Sequence, residues 1–330
     1  MTAGEALRRF GLPVVVVLLC VLPLLTSGEY YLTIGIAVAT FAVLSTGLNL
    51  VYGYVGLLSF AQIGFFGIGG YASAILVVDR GWSIWTGSLA GGGLALLAGL
   101  VVAYSSLRLS RHAFAIVTLS FGLLCLIVAR DWVSLTRGPA GMPGLPIPEA
   151  WFPILGDVRF DRPEAFYGLM LANAVVALAI MHRIIHSRIG RALRAIKLNE
   201  PLAQSQGINP LRYKLLTIGV SAFLSGVTGG LYVFYLTIVD PSIFDFYYTE
   251  TILIMVIAGG PGSFWAVLAA SLVFSVLPEL LRFSTDLRMV MYGAVLIVAM
   301  LAFPRGVGGL LRDRALARWR RAQTQAGPAE

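Results

Sequence analysis

The sequence predicts an all-α fold, a polytopic transmembrane helical bundle, and three observations support this. The 330 residues are 58% hydrophobic and only 12% charged, whereas soluble domains carry about 25% charged residues. Asp, Glu, Lys and Arg are absent from four long stretches, residues 30–78, 81–107, 215–239 and 251–278. A spanning helix needs about 20 apolar residues, so the longest stretch must hold two spans. We therefore expect one integral membrane domain over residues 1–330, with about eight to ten spans.

The apolar runs place the elements in chain order. Residues 11–27 follow a basic N-terminus and resemble a signal peptide, but no small-residue cleavage site follows, so we interpret them as a retained first span. Residues 130–164 are rich in proline and glycine and predict an ordered loop, because proline fixes its own dihedral and removes a donor. Residues 249–258 are too short to cross alone. The remaining predicted spans are 31–50, one ending near 78, 83–104, 114–129, 165–181, 215–236, 264–281 and 289–303.

Glycines break the predicted helices in two places. Residues 46–71 contain seven glycines, among them Gly53, Gly56 and Gly64. Such a density interrupts helices and lets backbones approach closely. Asn49 and Gln62 are polar at membrane depth, where they should face protein or a water-filled path. Broken helices of this kind line pathways in transporters, but tight helix packing explains the glycines equally well. The second break contains Gly259, Gly260 and Gly262.

A basic segment, residues 182–214, separates two apolar runs. It holds seven of the 24 Lys and Arg residues and a single acid, Glu200. We predict two short helices here, the first over residues 189–198 and the second capped by Asn199, with Pro201 tolerated in its first turn. Gly207 is expected to end the second helix in the left-handed conformation. A helix–break–helix outside the bilayer could dock a partner, although an ordinary positively charged loop would show the same charge.

Charge also predicts orientation. With ten spans and both termini on one side, 17 of the 24 Lys and Arg residues fall on that side, and only four of the 16 acids do so. Lys and Arg bias sets orientation, so the N- and C-termini, the basic segment and the tail over residues 304–330 are predicted to be cytoplasmic. The loop over residues 130–164 is then periplasmic.

Several kinds of chemistry are not expected. The sequence contains no G-x-x-x-x-G-K-[ST] motif, so the chain should not bind ATP by a P-loop. No Ser/His/Asp or paired-carboxylate constellation indicates an enzyme, and the three histidines at span ends do not predict a metal site. The net charge of +8 is spread over short loops and does not indicate nucleic-acid binding. The long runs contain no acid, which argues against a proton-coupled carrier.

Motifs along nearly the whole chain resemble those of one family. They are G-L-N-L-V-Y-G-Y-V-G-L-L-S-F-A-Q-I-G-F-F-G-I-G-G-Y (47–71), F-A-I-V-T-L-S-F-G (114–122), S-R-I-G-R-A-L-R-A-I-K-L-N-E (187–200), G-I-N-P-L-R-Y-K-L-L (207–216), G-G-P-G-S-F-W (259–265) and F-P-R-G (303–306). The chain resembles the permease subunits of bacterial branched-chain amino-acid ABC transporters, and the M-type subunit of the Liv system more than the H-type.

The resemblance implies an ABC importer permease of the inner membrane that binds no cofactor of its own. Its implied partners are a homologous permease subunit, two ATP-binding ATPase subunits and a periplasmic binding protein. The implied ATPase-coupling loop contains Arg191, Arg194, Asn199, Glu200, Ala203 and Gly207. Asn49, Gln62 and Thr118 are candidates for the translocation path, although interhelical hydrogen bonds would explain them as well.

The sequence leaves three alternatives open. Related permeases carry urea, amides or other small organic solutes, so the resemblance does not identify the substrate. A stand-alone secondary carrier or channel would also fit the composition, as would a membrane-embedded scaffold without transport.

Overall fold

The computed structural model describes residues 29–152, 156–160 and 162–280, and the single residues 293 and 306. The predicted first span, residues 11–27, lies outside these residues, and so does the last, residues 289–303, except for residue 293. The helices, numbered along the described chain, are α1 (Glu29–Leu48), α2 (Gln62–Arg80), α3 (Ile84–Ser106), α4 (Arg111–Asp131), α5 (Val133–Thr136), α6 (Pro163–His186), α7 (Arg188–Leu198), α8 (Glu200–Ser205), α9 (Pro210–Leu236), α10 (Phe246–Gly259) and α11 (Phe264–Leu280).

Three kinds of shorter element complete the described chain. A π-helical segment, Asn49–Val55, continues α1, and 3-10 helices form at Gly138–Ala140 and Pro241–Phe244. The strands are β1 (Met142–Pro143), β2 (Glu149–Phe152), β3 (Gly156–Arg159) and β4 (Ile238–Val239).

The predicted membrane bundle is confirmed. Within the described residues, seven helical segments are long and apolar enough to cross a membrane. One of them corrects the expectation for residues 249–258. Asp245 accepts a hydrogen bond from the Tyr247 amide and caps α10, so the helix begins earlier and, with the preceding 3-10 helix, forms an apolar segment over Pro241–Gly259. The loop over residues 130–164 also contains more regular structure than predicted, namely α5, a 3-10 turn and strands.

Helices α2, α3 and α9 form the most closely packed part of the bundle. A Cβ added at Gly226 of α9 would lie only 2.5 Å from the Ala95 Cβ of α3, and one added at Gly69 of α2 would overlap the Gly226 carbonyl. The Ser73 hydroxyl donates to the Gly69 carbonyl at 2.7 Å and lies 3.1 Å from the Gly87 carbonyl. Small residues therefore bring the three backbones together, which is how helices associate where water supplies no hydrophobic driving force.

The two ends of the bundle differ in structure. Helices α7 and α8 lie at one end of the bundle, which is called the basic end here. The opposite end, here called the loop end, carries the strands. There β1 pairs antiparallel with β4, with Met142 opposite Val239, and β2 pairs with β3. The Trp85 indole donates to the Glu149 carbonyl at 3.0 Å. These bonds join the proline-rich loop to the α9–α10 connection and to the start of α3.

Candidate functional site

Helices α7 and α8 form the predicted helix–break–helix of the basic segment. Asn199 is extended, and its side-chain oxygen accepts a hydrogen bond from the Leu202 amide at 3.1 Å. Pro201 lies in the first turn, as expected. Gly207 has φ of +79°. The Gly207 amide donates to the Gln204 carbonyl and the Ile208 amide to the Ala203 carbonyl, so this end is a Schellman motif that requires a left-handed residue.

One face of α7 packs on the bundle. Gly190, Ala192, Leu193 and Ile196 are buried on that face. A Cβ at Gly190 would overlap the Ile185 carbonyl at the end of α6, so only glycine permits this approach. The spacing of these residues places one stripe of the helix against the spans.

Two basic side chains of α7 bind the ends of other helices. The Arg194 guanidinium donates to the Gly190 carbonyl at 3.1 Å and lies 3.4 Å from the Ile185 carbonyl in the last turn of α6. The Lys197 ammonium donates to the Gly53 carbonyl at 2.6 Å, in the π-helical segment. Last-turn carbonyls lack partners within their own helix, and a cation there also interacts favourably with the helix dipole.

An ion pair fixes α8 to α9. The Lys214 ammonium lies 2.6 Å from a Glu200 carboxylate oxygen, and the Lys214 side chain is only 9% exposed. Ala203 is buried on the same side of α8. Glu200 therefore holds α8 in place, which the sequence did not reveal.

The opposite face of α7 and α8 is free of the bundle. Leu198 is 86% exposed and Leu202 is 59% exposed, although both are large apolar residues. Arg191 of α7 is exposed as well. The tip of the basic end thus exposes two large apolar side chains, and the same helix pair exposes a basic one.

Asn49 connects the two glycine breaks. Its side-chain oxygen accepts a hydrogen bond from the Gly262 amide at 2.9 Å, and its side-chain nitrogen lies 3.5 Å from the Ser263 carbonyl. Asn49 is fully buried. A Cβ at Gly53 would overlap both the Asn49 side-chain oxygen and the Gly262 amide, so Gly53 is required for this contact. Elements more than 200 residues apart in the chain therefore meet here.

The other predicted structural glycines also occupy crowded or turned positions. Gly56 ends the π-helical segment with φ of +85°, and Gly260 and Gly262 have φ of +99° and +90°. A Cβ at Gly259 would lie 2.6 Å from the Val267 Cα, and one at Gly64 would lie 2.9 Å from the Phe121 ring.

Gln62 and Thr118 hold segments together. The Gln62 amide group donates to the Ser225 hydroxyl and accepts from the Ser221 hydroxyl at 3.1 Å, which joins α2 to α9. The Thr118 hydroxyl accepts from the Phe60 amide at 3.1 Å. Both side chains are buried. A role for Asn49, Gln62 and Thr118 in the translocation path stays a prediction.

A narrow cavity lies between α1, α2, α9 and α10 near the loop end. Its wall is mainly apolar, from side chains such as Phe41, Leu44 and Phe66. The polar residues in the wall include Tyr232, Tyr248 and Asp240. A wider cleft shares Asp240 and Ser242 with this cavity and also contains Arg130 and Asp245. Asn49, Gln62 and Thr118 line neither space.

Sequence reasoning missed several of these residues. The sequence indicates Lys197 only as part of the basic charge, and Ser221 and Ser225 only as small residues among the glycines of the span over residues 215–236, which are typical of helix packing. The signal available in the sequence was the presence of polar residues within apolar runs, since each polar group buried at membrane depth must find a partner. Which partner it finds depends on contacts between segments far apart in the chain.

Broken helices buried inside a helical membrane bundle are typical of transport proteins. Residues 30–300 match the family described as "Branched-chain amino acid transport system / permease component", and the chain belongs to this family. It is accordingly a multi-pass inner-membrane permease.

Relatives agree with this assignment. The chain is 30% identical over 302 residues to the high-affinity branched-chain amino acid transport system permease protein LivM of Escherichia coli K12, covering 86% of this chain and 71% of that protein. It is 27% identical over 293 residues to LivH of the same organism, covering 82% and 92%. The resemblance to the M-type subunit is thereby confirmed. No solved structure gives a significant match.

Proposed function

We propose that the chain is the permease subunit of an ABC importer for branched-chain or related amino acids. It pairs with a homologous permease, two ATPase subunits dock at the basic end, and a periplasmic binding protein delivers substrate at the loop end. Membership of the permease family supports this assignment, and the names of the LivM and LivH relatives agree with the substrate class.

The observation that carries the docking proposal is the two-faced structure of α7 and α8. Arg194 reaches the Ile185 carbonyl at the end of α6 and Lys197 binds the Gly53 carbonyl in the π-helical segment, while Leu198 and Leu202 face away from the bundle. Exposed apolar residues with a polar rim mark interaction sites. The tip fits a groove on an ATPase subunit, and closure of the two ATPases on ATP would displace α7 and alternate access to the path.

Orientation follows from the same proposal. The basic end faces the cytoplasm, where ATPases are found, and both termini lie on that side, because 17 of the 24 Lys and Arg residues then lie inside.

The cavity near the loop end supports an amino acid as substrate. Its apolar wall suits an aliphatic side chain, and the Asp240 carboxylate offers a partner for an ammonium group. Arg130 in the adjoining cleft offers a partner for a carboxylate. Urea and simple amides carry neither charge, so they could not form an ion pair with either group.

The test is reconstitution of the chain in liposomes with its permease, ATPase and binding-protein partners. We expect ATP-dependent uptake of leucine, isoleucine or valine in preference to urea and acetamide. Leu198→Ser with Leu202→Ser should lose co-purifying ATPase, whereas Leu109→Ser should retain it, because Leu109 is 51% exposed but lies outside α7 and α8. Uptake by the chain alone under a proton or sodium gradient would assign it to the secondary carriers instead.

A further inference from the structure

We propose that Lys197 and Asn49 are positioning residues that couple the docking helix α7 to both glycine breaks. A displacement of α7 would then move the π-helical segment and the turn over residues 260–263 as one unit. The inference rests on the proposed function, because it assigns the route by which an ATPase movement reaches the spans.

The first step is the contact between α7 and the π-helical segment. The Lys197 ammonium donates to the Gly53 carbonyl at 2.6 Å, across 144 positions of sequence. A Cβ at Gly56 would lie 3.2 Å from the Lys197 side chain, and one at Gly262 would lie 3.9 Å from its ammonium. Lys197 therefore reaches a point beside both breaks. A bond from a charged donor is roughly twice as strong as one between neutral groups, so this contact can transmit a pull.

The second step is the contact between the two breaks. Asn49 accepts from the Gly262 amide at 2.9 Å, and a Cβ at Gly262 would lie 2.9 Å from the Gly53 carbonyl. The carbonyl bound by Lys197 thus touches the turn held by Asn49. A shift of one segment would therefore press on the other, because Gly53 and Gly262 approach too closely for even a Cβ atom to fit between them.

The third step concerns what the linked unit can do. The π-helical segment ends at Gly56 with φ of +85°, and the turn ends α10 at Gly260 with φ of +99°. π-Helical segments are rare in proteins, and those that occur are often found at functional sites. Helices interrupted at such points can pivot, because the backbone ladder is already broken there. The unit therefore joins the docking helix α7 to the ends of α1 and α10.

The experiment uses the complete importer reconstituted in liposomes, with leucine as substrate. Lys197→Met removes the ammonium and keeps the length, Lys197→Arg restores a donor, and Arg188→Met removes an exposed charge from the same helix. Four quantities are measured: co-purifying ATPase, basal ATP hydrolysis, the substrate-stimulated increment, and ATP hydrolysed per leucine transported. A fall of about tenfold in the stimulated increment is expected for Lys197→Met, with ATPase binding and basal hydrolysis unchanged. Lys197→Arg should recover most of it, and Arg188→Met should match the wild type.

Asn49→Ser serves as a second variant and leaves α7 intact. It shortens the side chain without adding volume, and it should lower the substrate-stimulated increment as Lys197→Met does. Wild-type stimulation in both Lys197→Met and Asn49→Ser would overturn the inference. So would a loss explained entirely by less bound ATPase, because the two residues would then only maintain structure. If the wild-type chain itself neither binds ATPases nor transports, the proposed function fails, and that outcome is distinct from these.

Discussion

Gly207→Val should uncouple the permease from its ATPases without preventing membrane insertion. Gly207 is the left-handed residue of the Schellman motif that ends α8, with φ of +79°. No atom lies within 4 Å of the position that a Cβ would occupy. The main cost of the substitution is therefore backbone strain, since its Cβ meets no neighbouring atom.

The size of the expected effect follows from the cost of this backbone strain. A β-branched residue at positive φ is a genuine outlier and costs on the order of 1–3 kcal/mol. A free-energy difference of about 1.4 kcal/mol corresponds to a factor of ten. The native conformation of the turn after α8 therefore becomes roughly 5- to 150-fold less populated relative to other conformations of this segment. The Ala203 and Gln204 carbonyls lose their partners when the turn opens. The cost lies outside the spans, so the bundle itself should remain folded.

The assay compares ATPase co-purification and leucine uptake at equal membrane abundance. Gly144→Val is the matched control, because Gly144 has φ of +76°, also has no atom within 4 Å of an added Cβ, and lies at the loop end. Gly207→Asn is a second control, since asparagine tolerates the left-handed region better than valine does. Gly207→Val should lose uptake, whereas both controls should retain most of it.

Normal uptake and normal stimulated hydrolysis in Gly207→Val would refute the argument. The basic segment would then be a positively charged loop with no docking role. Equal losses in Gly207→Val and Gly144→Val would also refute it, because general strain would explain both.

Three further predictions test other parts of the structure. Gly226→Val should lower the stability of the detergent-solubilised protein by about 1–3 kcal/mol, because its Cβ would overpack against Ala95, whereas Gly93→Val, with open space around it, should have little effect in the same thermal-unfolding measurement. A cysteine at Gln204 in a cysteine-free background should react with an impermeant maleimide only from the cytoplasm, and one at Gly144 only from the periplasm; the opposite pattern would reverse the topology. The purified chain alone should not hydrolyse ATP, because its sequence has no P-loop. ATPase activity that co-elutes with the purified chain in size-exclusion chromatography would contradict this.

Local features of the sequence predicted much of this fold. Charge-free stretches located the spans, and Asn199, Pro201 and Gly207 predicted the ends of α8, because caps and left-handed glycines act within a few residues. The glycine-rich stretches correctly located both breaks. Their form, a π-helical segment and a tight turn, was not predictable from composition.

Contacts between distant segments were beyond the sequence. Nothing in the pattern around Lys197 pairs it with Gly53, and nothing around Asn49 pairs it with Gly262. Glu200 is a similar case, since its partner Lys214 was visible only as another basic residue. Lone polar residues in apolar runs indicated that partners existed, while the identity of each partner depended on how the helices cross.

The packing of α2, α3 and α9 has a consequence for biosynthesis. The Gly69 region of α2 is made early, but its neighbour Gly226 on α9 follows roughly 150 residues later. At about 5–20 residues per second, the ribosome needs on the order of ten seconds to supply it. During that interval the α2–α3 hairpin presents an unfilled glycine groove to lipid or to the insertion machinery. Slowing translation between α3 and α9 should therefore prolong the period in which a nascent chain of this protein is open to a membrane chaperone or protease.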